Sequence, residues 1–310
     1  MNVLSLFDGM SCGQLALKKA GIKVNSYFAS EIDKHAIEIA LNNFPKTYQI
    51  GDVTKVVAKI SGHLPKIDLL IGGSPCQGFS FAGKQLNFND PRSKLFFEFI
   101  RLKEETKPKY FMLENVKMKK ESQDIISNYL GVGPIEINSS LISAQNRKRY
   151  YWTNIPLKAL PKARGIILAD ILETDRRDFH WLDKDRSDYV LSLASLPHKE
   201  RKAIVKDGSP MPSNVTLTPR LGQFVYNNHL GQNGGLYKDM AATLVCAGRH
   251  HCVDELNGEL RIRRLTITEC ERLQTVPDGY TEGVSDSQRY KMLGNGWTVD
   301  VIAHIFNGLK

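Results

Sequence analysis

Asp8, Glu31, Asp52, Cys76 and Glu114 each stand at or just beyond the end of a short apolar run. Cys76 is the most reactive of them. It lies in Gly-Gly-Ser-Pro-Cys-Gln-Gly-Phe-Ser, where glycines and a proline would hold a thiol beyond a strand end rather than pack it in a core. A thiolate is a strong nucleophile near neutral pH, and a partly exposed, electropositive setting lowers its pKa. Glu114 offers a proton donor or hydrogen-bond partner if its surroundings favour the acid form. Gln145, Arg147 and Arg149 alternate in Gln-Asn-Arg-Lys-Arg-Tyr-Tyr-Trp, so a strand would turn these three to one face and Asn146, Lys148 and Tyr150 to the other. Two arginines on one face call for an anionic or carbonyl-rich ligand, or else form a solvated basic edge.

A second group of residues suits a nucleoside-bearing cofactor. Phe7-Asp8-Gly9-Met10-Ser11-Cys12-Gly13 joins an apolar run to a helical pattern, so glycines admit a ligand to the backbone and a helix N-terminus offers free N–H groups. Glu31 supplies a carboxylate for ribose hydroxyls, and Asp52 an acceptor for an adenine amino group. Any one of these carboxylates alone reads as a helix cap or surface charge; three at successive strand ends read as a site. The loop lacks the G-x-G-x-x-G spacing of a nicotinamide fingerprint, which argues against an oxidoreductase.

The elements that must position these residues alternate. Val3–Phe7 reads as a strand followed by a helix to Gly21, Val24–Ala29 as a second strand, and Lys34–Asn43 as a helix. Tyr48–Ile50 and Ile67–Ile71 read as further strands; Lys94–Glu105 is a helix, and Tyr110–Leu113 a fifth strand ending at Glu114. Such alternation predicts an α/β fold with a parallel sheet covered on both faces, whose ligands sit beyond the carboxyl ends of the strands. From about Pro156 to Leu260 the pattern gives way to Gly, Pro, Asn and basic residues, which predicts a separate irregular domain. Regular structure resumes with a capped helix at Glu269–Leu273 and a closing helix over Thr298–Leu309. There is no internal repeat.

The chain has 310 residues and a formal charge of +9, enough for two domains and tilted toward a polyanionic partner. Its 42% hydrophobic and 24% charged residues exclude wholesale disorder. No apolar stretch approaches a membrane span, and the N-terminus lacks a basic segment before an apolar core, so an untargeted cytoplasmic chain is expected. Five widely spaced cysteines without a C-x-x-C pair speak against a disulfide framework. Cys246, His250, His251 and Cys252 fit no common zinc spacing, and no metal is expected.

In order along the chain, these motifs resemble those of the DNA (cytosine-5)-methyltransferases. Phe7–Gly13 is similar to the family's first cofactor motif, Glu31 and Asp52 to its second and third, Pro75-Cys76-Gln77 to its Pro-Cys motif and Glu114-Asn115-Val116 to its Glu-Asn-Val motif. Gln145-x-Arg147-x-Arg149 matches the next; Arg264-Leu265-Thr266 through Pro277 resembles the ninth, and Gly294-Asn295 with the following helix the tenth. Two departures stand out: Ser11 where bacterial members usually have glycine, and Gly296-Trp297 where the tenth motif often continues with Ser or Ala.

The resemblance implies a Rossmann-like S-adenosylmethionine-dependent methyltransferase fold with a small, irregular target-recognition domain. It divides the chain into a catalytic domain, 1–155 with 262–310, and a reader, 156–261. It implies S-adenosyl-L-methionine held by Phe7, Asp8, Gly9, Ser11, Gly13, Glu31, Ile32, Asp52 and Val53, with Pro75, Leu95, Asn295, Gly296 and Trp297 completing the pocket. By the family's logic Cys76 attacks C6 of cytosine, Glu114 protonates or hydrogen-bonds N3, Arg149 holds O2, and Arg147 meets a phosphate or the active-site loop. The target base must leave the helix stack, with Gly78–Asp90 closing over it on a Gly83 hinge. Gln77, Ser80, Arg92 and Gln145 are expected to touch DNA. So are Gln232 and Asn233 in the amide-rich Asn227–Gly235 loop, while Lys199, Arg201, Lys202, Arg220 and Arg249 suit phosphates. The implied partner is double-stranded DNA, bound by a monomer, with room for a cognate restriction endonuclease that acts on the same site without binding this chain. The rivals are the same chemistry on tRNA and a catalytically inactive DNA-binding homologue.

Overall fold

The computed structural model describes residues 1–57, 64–74, 94–174, 180–181, 184–185, 187–188, 224–226, 235–237, 241–242, 244, 250–256 and 259–310. Its centre is a sheet of seven strands: β1 (Asn2–Leu6), β2 (Ser26–Ser30), β3 (Tyr48–Gln49), β4 (Leu69–Gly72), β5 (Tyr110–Val116), β6 (Pro134–Asn138) and β8 (Lys148–Thr153). The spatial order is β3-β2-β1-β4-β5-β8-β6. The first five run parallel; β8 lies antiparallel to both β5 and β6. The chain winds outward from β1 to β3 and then returns to β4 on the other side, so β1 and β4 flank the point where strand order reverses. A crevice opens at such a point.

Strand periodicity divides the core between the two faces of this sheet. Val3, Ile71, Met112 and Tyr151 point to one side, where α1 (Cys12–Lys19) and α2 (Lys34–Asn43) pack. Leu4, Leu70, Leu113 and Trp152 point to the other, onto α3 (Lys94–Thr106) and α4 (Lys120–Leu130). Adjacent residues thus enter opposite cores, which is why β1 and β4 read as continuous apolar runs rather than alternating ones. After the long insertion come α5 (Ile267–Leu273), α6 (Asp286–Asn295) and α7 (Val299–Phe306). Val299, Val301, Ile302 and Phe306 of α7 join the α1 side of the core, so the end of the chain completes the layer begun by its start.

A second sheet, entirely antiparallel, has the order β10-β9-β12-β13: β9 (Phe224–Tyr226), β10 (Gly235–Tyr237), β12 (His250–Leu256) and β13 (Glu259–Arg264). A short parallel pair, β7 (Gln145–Asn146) with β11 (Ala241–Ala242), connects the two regions. Where β13 ends, the Arg263 guanidinium meets the Glu269 carboxylate through two parallel bonds of 2.8 and 2.6 Å, both side chains fully buried. Glu269 also receives the backbone N–H groups of Thr266 and Glu173, each at 2.9 Å, so the pair is anchored in the capped start of α5.

Two sequence expectations change. β5 runs on through Val116, because Glu114, Asn115 and Val116 pair with Tyr151, Tyr150 and Arg149 of β8; Glu114 is a strand residue, not a strand terminus. Gln145, Arg147 and Arg149 are not on one strand, since Arg147 breaks the run between β7 and β8, its N–H directed to Gln145 O and Asn138 Oδ1.

Arg263→Ala would leave the Glu269 carboxylate buried without its cation, and a loss of about 3–5 kcal/mol in unfolding free energy is expected. Urea unfolding measures it; a loss under about 1 kcal/mol, the size of an exposed pair, would contradict the assignment.

Candidate active site

The turn after β1 is built from left-handed backbone: Phe7, Gly9 and Ser11 have φ of 56°, 58° and 63°. Tight reversal lets Asp8 N reach Ser30 O at 3.2 Å while α1 starts at once, its first carbonyl supplied by Ser11 O to Leu15 N. Ser11, the position where glycine is usual, therefore adopts a conformation that costs a non-glycine residue about 1 kcal/mol or more.

Asp8 lies in this turn, Glu31 bonds to it, and Asp52 follows the next strand over. Asp8 is buried; its Oδ1 accepts from Ser5 Oγ at 2.6 Å and Tyr27 Oη at 2.7 Å, while Oδ2 makes no hydrogen bond. Burial pushes the Asp8 pKa up to about 6, with the Ser5, Tyr27 and Ser11 hydroxyls pulling against it. Glu31 receives Ile32 N and Asp33 N on Oε1, at 2.8 and 2.9 Å, and Gly9 N on Oε2 at 2.8 Å. It ties the end of β2 to the glycine turn and keeps a lone pair on Oε2 for a hydroxyl. Beside it the Ile32 side chain is 77% exposed, an apolar platform among polar neighbours. Asp52 caps a short 3-10 turn: its Oδ1 accepts from Thr54 N and Thr54 Oγ1, both at 2.9 Å, and these bonds hold its carboxyl below the usual range. Val53 behind it is buried, and Leu95 packs at the edge of the α3 side of the core.

The C-terminal region closes the other side. Tyr280 Oη donates to Met10 O at 2.8 Å, and a Cβ on Gly296 would lie 2.8 Å from Met10 Cε, so the segment after α6 presses on the first turn. Gln274 braces it, donating to Leu293 O at 2.6 Å and accepting from Thr298 Oγ1 at 3.0 Å. Asn295 ends α6, and Trp297 follows Gly296 into the gap between the first turn and the end of β4.

Around Glu114 the donors are specific. Oε1 pairs with Arg149 Nε at 3.1 Å and Oε2 accepts from Trp297 Nε1 at 3.1 Å, with the residue 8% exposed. Arg149 also donates from Nη1 to Lys148 O at 2.9 Å. Asn115 Nδ2 reaches Ser74 O and Ser74 Oγ at 3.4 and 3.3 Å, holding the residue just ahead of Pro75-Cys76.

Arg147 is expected to meet a phosphate or the active-site loop; the loop lies outside the described residues, and the burial of Arg147 does not suit a phosphate. The side chain is 3% exposed and donates to the carbonyls of Leu244, Gly294 and Gly296 at 3.0, 3.3 and 2.9 Å, a tie between segments rather than a free cation. Burial, aided by the neighbouring Arg149 charge, lowers its pKa to about 9. Gln145, expected at DNA, is fully buried and both its amide atoms lack partners. Burial raises the Cys12 thiol to about 12 and the Cys270 thiol further, so neither is a ready nucleophile. Pro75, Cys76, Gln77, Ser80 and Arg92, the Gly78–Asp90 segment, Gln232, Asn233, Lys199, Arg201, Lys202, Arg220 and Arg249 lie outside the described residues. The sequence reading gave no site role to Tyr27, Gln274 or Tyr280; Gln274 lies within the ninth motif and Tyr280 just beyond it, whereas nothing in its own strand marks Tyr27.

The profile of the C-5 cytosine-specific DNA methylases matches residues 1–131 and 140–310. The chain belongs to this family. Among DNA methylases, the type II methyltransferase M1.ScrFI of Lactococcus lactis subsp. cremoris is 32% identical over 312 residues, covering 97% of this chain and 75% of its own. The type II methyltransferase M.HhaI of Haemophilus parahaemolyticus is 28% identical, covering 98% and 93%. A solved structure of a Spodoptera frugiperda DNMT2 mutant has the same fold, with a TM-score of 0.66 at 20% identity over 99% of each chain.

C-5 cytosine methylases use S-adenosyl-L-methionine, and the first turn fits it. Its buried Asp8 Oδ2 lacks a donor that the cofactor's ammonium group would supply, Glu31 keeps an acceptor for ribose, and Ile32 offers a flat base an apolar face. Among the described residues no cluster of three His, Cys, Asp or Glu suits a metal, and no helix is long and apolar enough to cross a membrane.

Because the folded-state pKa of Asp8 is raised from 3.8 to about 6, its contribution to stability is complete below pH 4 and is lost as pH rises through 6. Asp8→Asn is expected to gain on the cofactor-free wild type by up to about 3 kcal/mol between pH 4 and 6, then hold level, while binding S-adenosyl-L-methionine more weakly. Thermal unfolding against pH and calorimetry measure both. A pH-independent stability difference would contradict the burial.

Proposed function

We propose that this protein is a DNA (cytosine-5)-methyltransferase (EC 2.1.1.37) that methylates C5 of a cytosine flipped out of duplex DNA through a covalent bond between Cys76 and C6. The observation that carries the reading is the pairing of Glu114 with Arg149 beside the cofactor turn, on the strand whose next residue, Asn115, holds Ser74 ahead of Pro75-Cys76. Glu114 is an acid and Arg149 a cation suited to a carbonyl oxygen, and Asn115 fixes Ser74, two positions before Cys76 in sequence; cytosine chemistry needs such residues and DNA binding alone does not.

Cytosine C5 is a weak nucleophile until C6 is attacked. The Cys76 sulfur forms its bond to C6, and the electron pair of the C5–C6 double bond moves toward C5. Glu114 delivers a proton or hydrogen bond at N3, so charge does not build in the ring, and Arg149 steadies O2. S-adenosyl-L-methionine supplies an electrophilic methyl group on its sulfonium. Loss of the C5 proton to a base then expels the Cys76 thiolate and restores the ring. Arg147 serves this site indirectly, by fixing the Gly294–Gly296 carbonyls that shape the cofactor side.

In this reading residues 1–155 with 262–310 perform the chemistry and 156–261 read the DNA. The protein works as a monomer in the cytoplasm of a bacterial or phage-infected cell, and a restriction endonuclease for the same site need not bind it. Gln77, Ser80, Arg92, Gln232, Asn233 and Arg249 make the DNA contacts.

Labelled S-adenosyl-L-methionine should pass its methyl group to duplex DNA and not to tRNA, and bisulfite sequencing of a plasmid from expressing cells should locate the modified cytosines. Labelling of tRNA alone would overturn the reading. Cys76→Ala should reduce transfer to background with cofactor affinity largely kept; substantial residual methylation would remove Cys76 from the mechanism. Glu31→Ala should raise the KM for S-adenosyl-L-methionine about tenfold or more with a smaller change for DNA. Equal effects on both would count against its ribose role.

A further inference from the structure

We propose that Trp297 is a positioning residue for Glu114: its indole N–H, rather than any contact with the base, fixes the carboxylate where the cytosine ring must meet it. The inference rests on the reading of Glu114 as the N3 partner and adds to the pocket-wall role that Trp297 was assigned.

Glu114 is held at both oxygens by donors from distant parts of the chain. Arg149 on β8 takes Oε1, and Trp297, which follows α6, takes Oε2, each at 3.1 Å. An indole has one N–H and no acceptor, so this bond uses its whole polar capacity. The ring itself has little freedom. A Cβ on Gly73 would sit 3.0 Å from Trp297 Nε1 and 3.1 Å from Glu114 Oε2, and a Cβ on Gly13 would sit 3.4 Å from Trp297 Cζ3. The indole is therefore seated between the first turn of α1 and the end of β4, both of which are glycine there.

The backbone that carries Trp297 is equally fixed. Gly296 O accepts from Arg147 at 2.9 Å and from Gln274 at 3.3 Å, and Thr298 Oγ1 bonds both Gln274 Oε1 and Ser139 Oγ. The charged and titratable neighbours of Glu114 among the described residues include Arg149, Arg147 and its cross-strand partner Tyr151, and of these Arg149 makes the ion pair with its carboxylate. A carboxylate with a single lateral donor can pivot about that donor; two donors from separate elements define its plane. Catalytic groups lose rate steeply with small misplacement, so the second donor matters to the rate more than to binding. The indole also makes the cofactor-side segment and the base-side glutamate one mechanical unit.

Trp297→Phe keeps an aromatic ring at this position and removes the N–H together with the second ring of the indole, so the double variant and the indole resonance separate the lost bond from the lost volume. The single-turnover methylation rate on duplex DNA is expected to fall about tenfold or more, with the Kd for S-adenosyl-L-methionine within about threefold of wild type. In a Glu114→Gln background the same change should cost little further, because the coupling has already been broken. A wild-type rate in Trp297→Phe, or a loss confined to cofactor affinity, would overturn the proposal. The indole resonance of Trp297 in nitrogen-15-labelled protein, assigned by its disappearance in Trp297→Phe, should shift upfield in Glu114→Ala; an unmoved resonance would overturn it as well. If the wild type labels no nucleic acid, the proposed function fails, and the resonance alone decides the bond.

Discussion

Close approach of three chain segments at the gap between β1 and β4 is the constraint on which the arrangement depends. The turn after β1, the end of β4 and the segment after α6 come together at Gly13, Gly73 and Gly296, where a Cβ would lie 2.5 Å from Ile71 Cδ1, 3.1 Å from Glu114 Oε2 and 2.8 Å from Met10 Cε. Strand order reverses there, so the sheet leaves a crevice that only a distant part of the chain can fill. The last 45 or so residues are suited to this: α7 completes the core layer of α1, and Tyr280, Gln274 and Trp297 brace the crevice wall. Insertion of a long segment between β8 and α5 is tolerated because the two parts of the sheet domain are joined by packing and hydrogen bonds rather than by chain continuity.

Charge is distributed unevenly between surface and interior. Arg147 and Arg263 both belong to the basic excess that pointed toward a polyanion, yet both are buried. The first is spread over three carbonyls and the second is matched to Glu269. Arg147 holds the 262–310 segment to the rest, Arg263 braces the start of that segment internally, and what remains of the +9 is the part available to phosphates. Asp8 is the opposite case: a buried acid with one oxygen unmet, held at a cost that a cationic ligand would offset.

Much of the fold was legible because parallel strands announce themselves as apolar runs closed by Gly, Asp or Pro. β1, β4 and β5 are found within a few residues of their expected places, and Glu31 and Asp52 stand after strands as read. What was not legible came from later in the chain. Glu114 extends β5 because β8 pairs with it, and no local pattern around Glu114 encodes that partner. Arg147 reads as a ligand-facing cation by alternation, yet the carbonyls that bury it come from residues 97 to 149 positions away. Trp297 was visible as a departure from the usual tenth motif, but its bond to Glu114 spans 183 positions and required the fold.

Under the proposed function, Cys76 bonds covalently to C6 of the target cytosine. Fluorine at C5 cannot leave as a cation, so a duplex carrying 5-fluorocytosine should stop the reaction after methyl transfer, with the enzyme still attached. Mass spectrometry of the digested complex is expected to show one cytosine adduct, on the peptide containing Cys76, formed only when S-adenosyl-L-methionine is present. Methylated product with no adduct, or an adduct on another cysteine, would contradict the account.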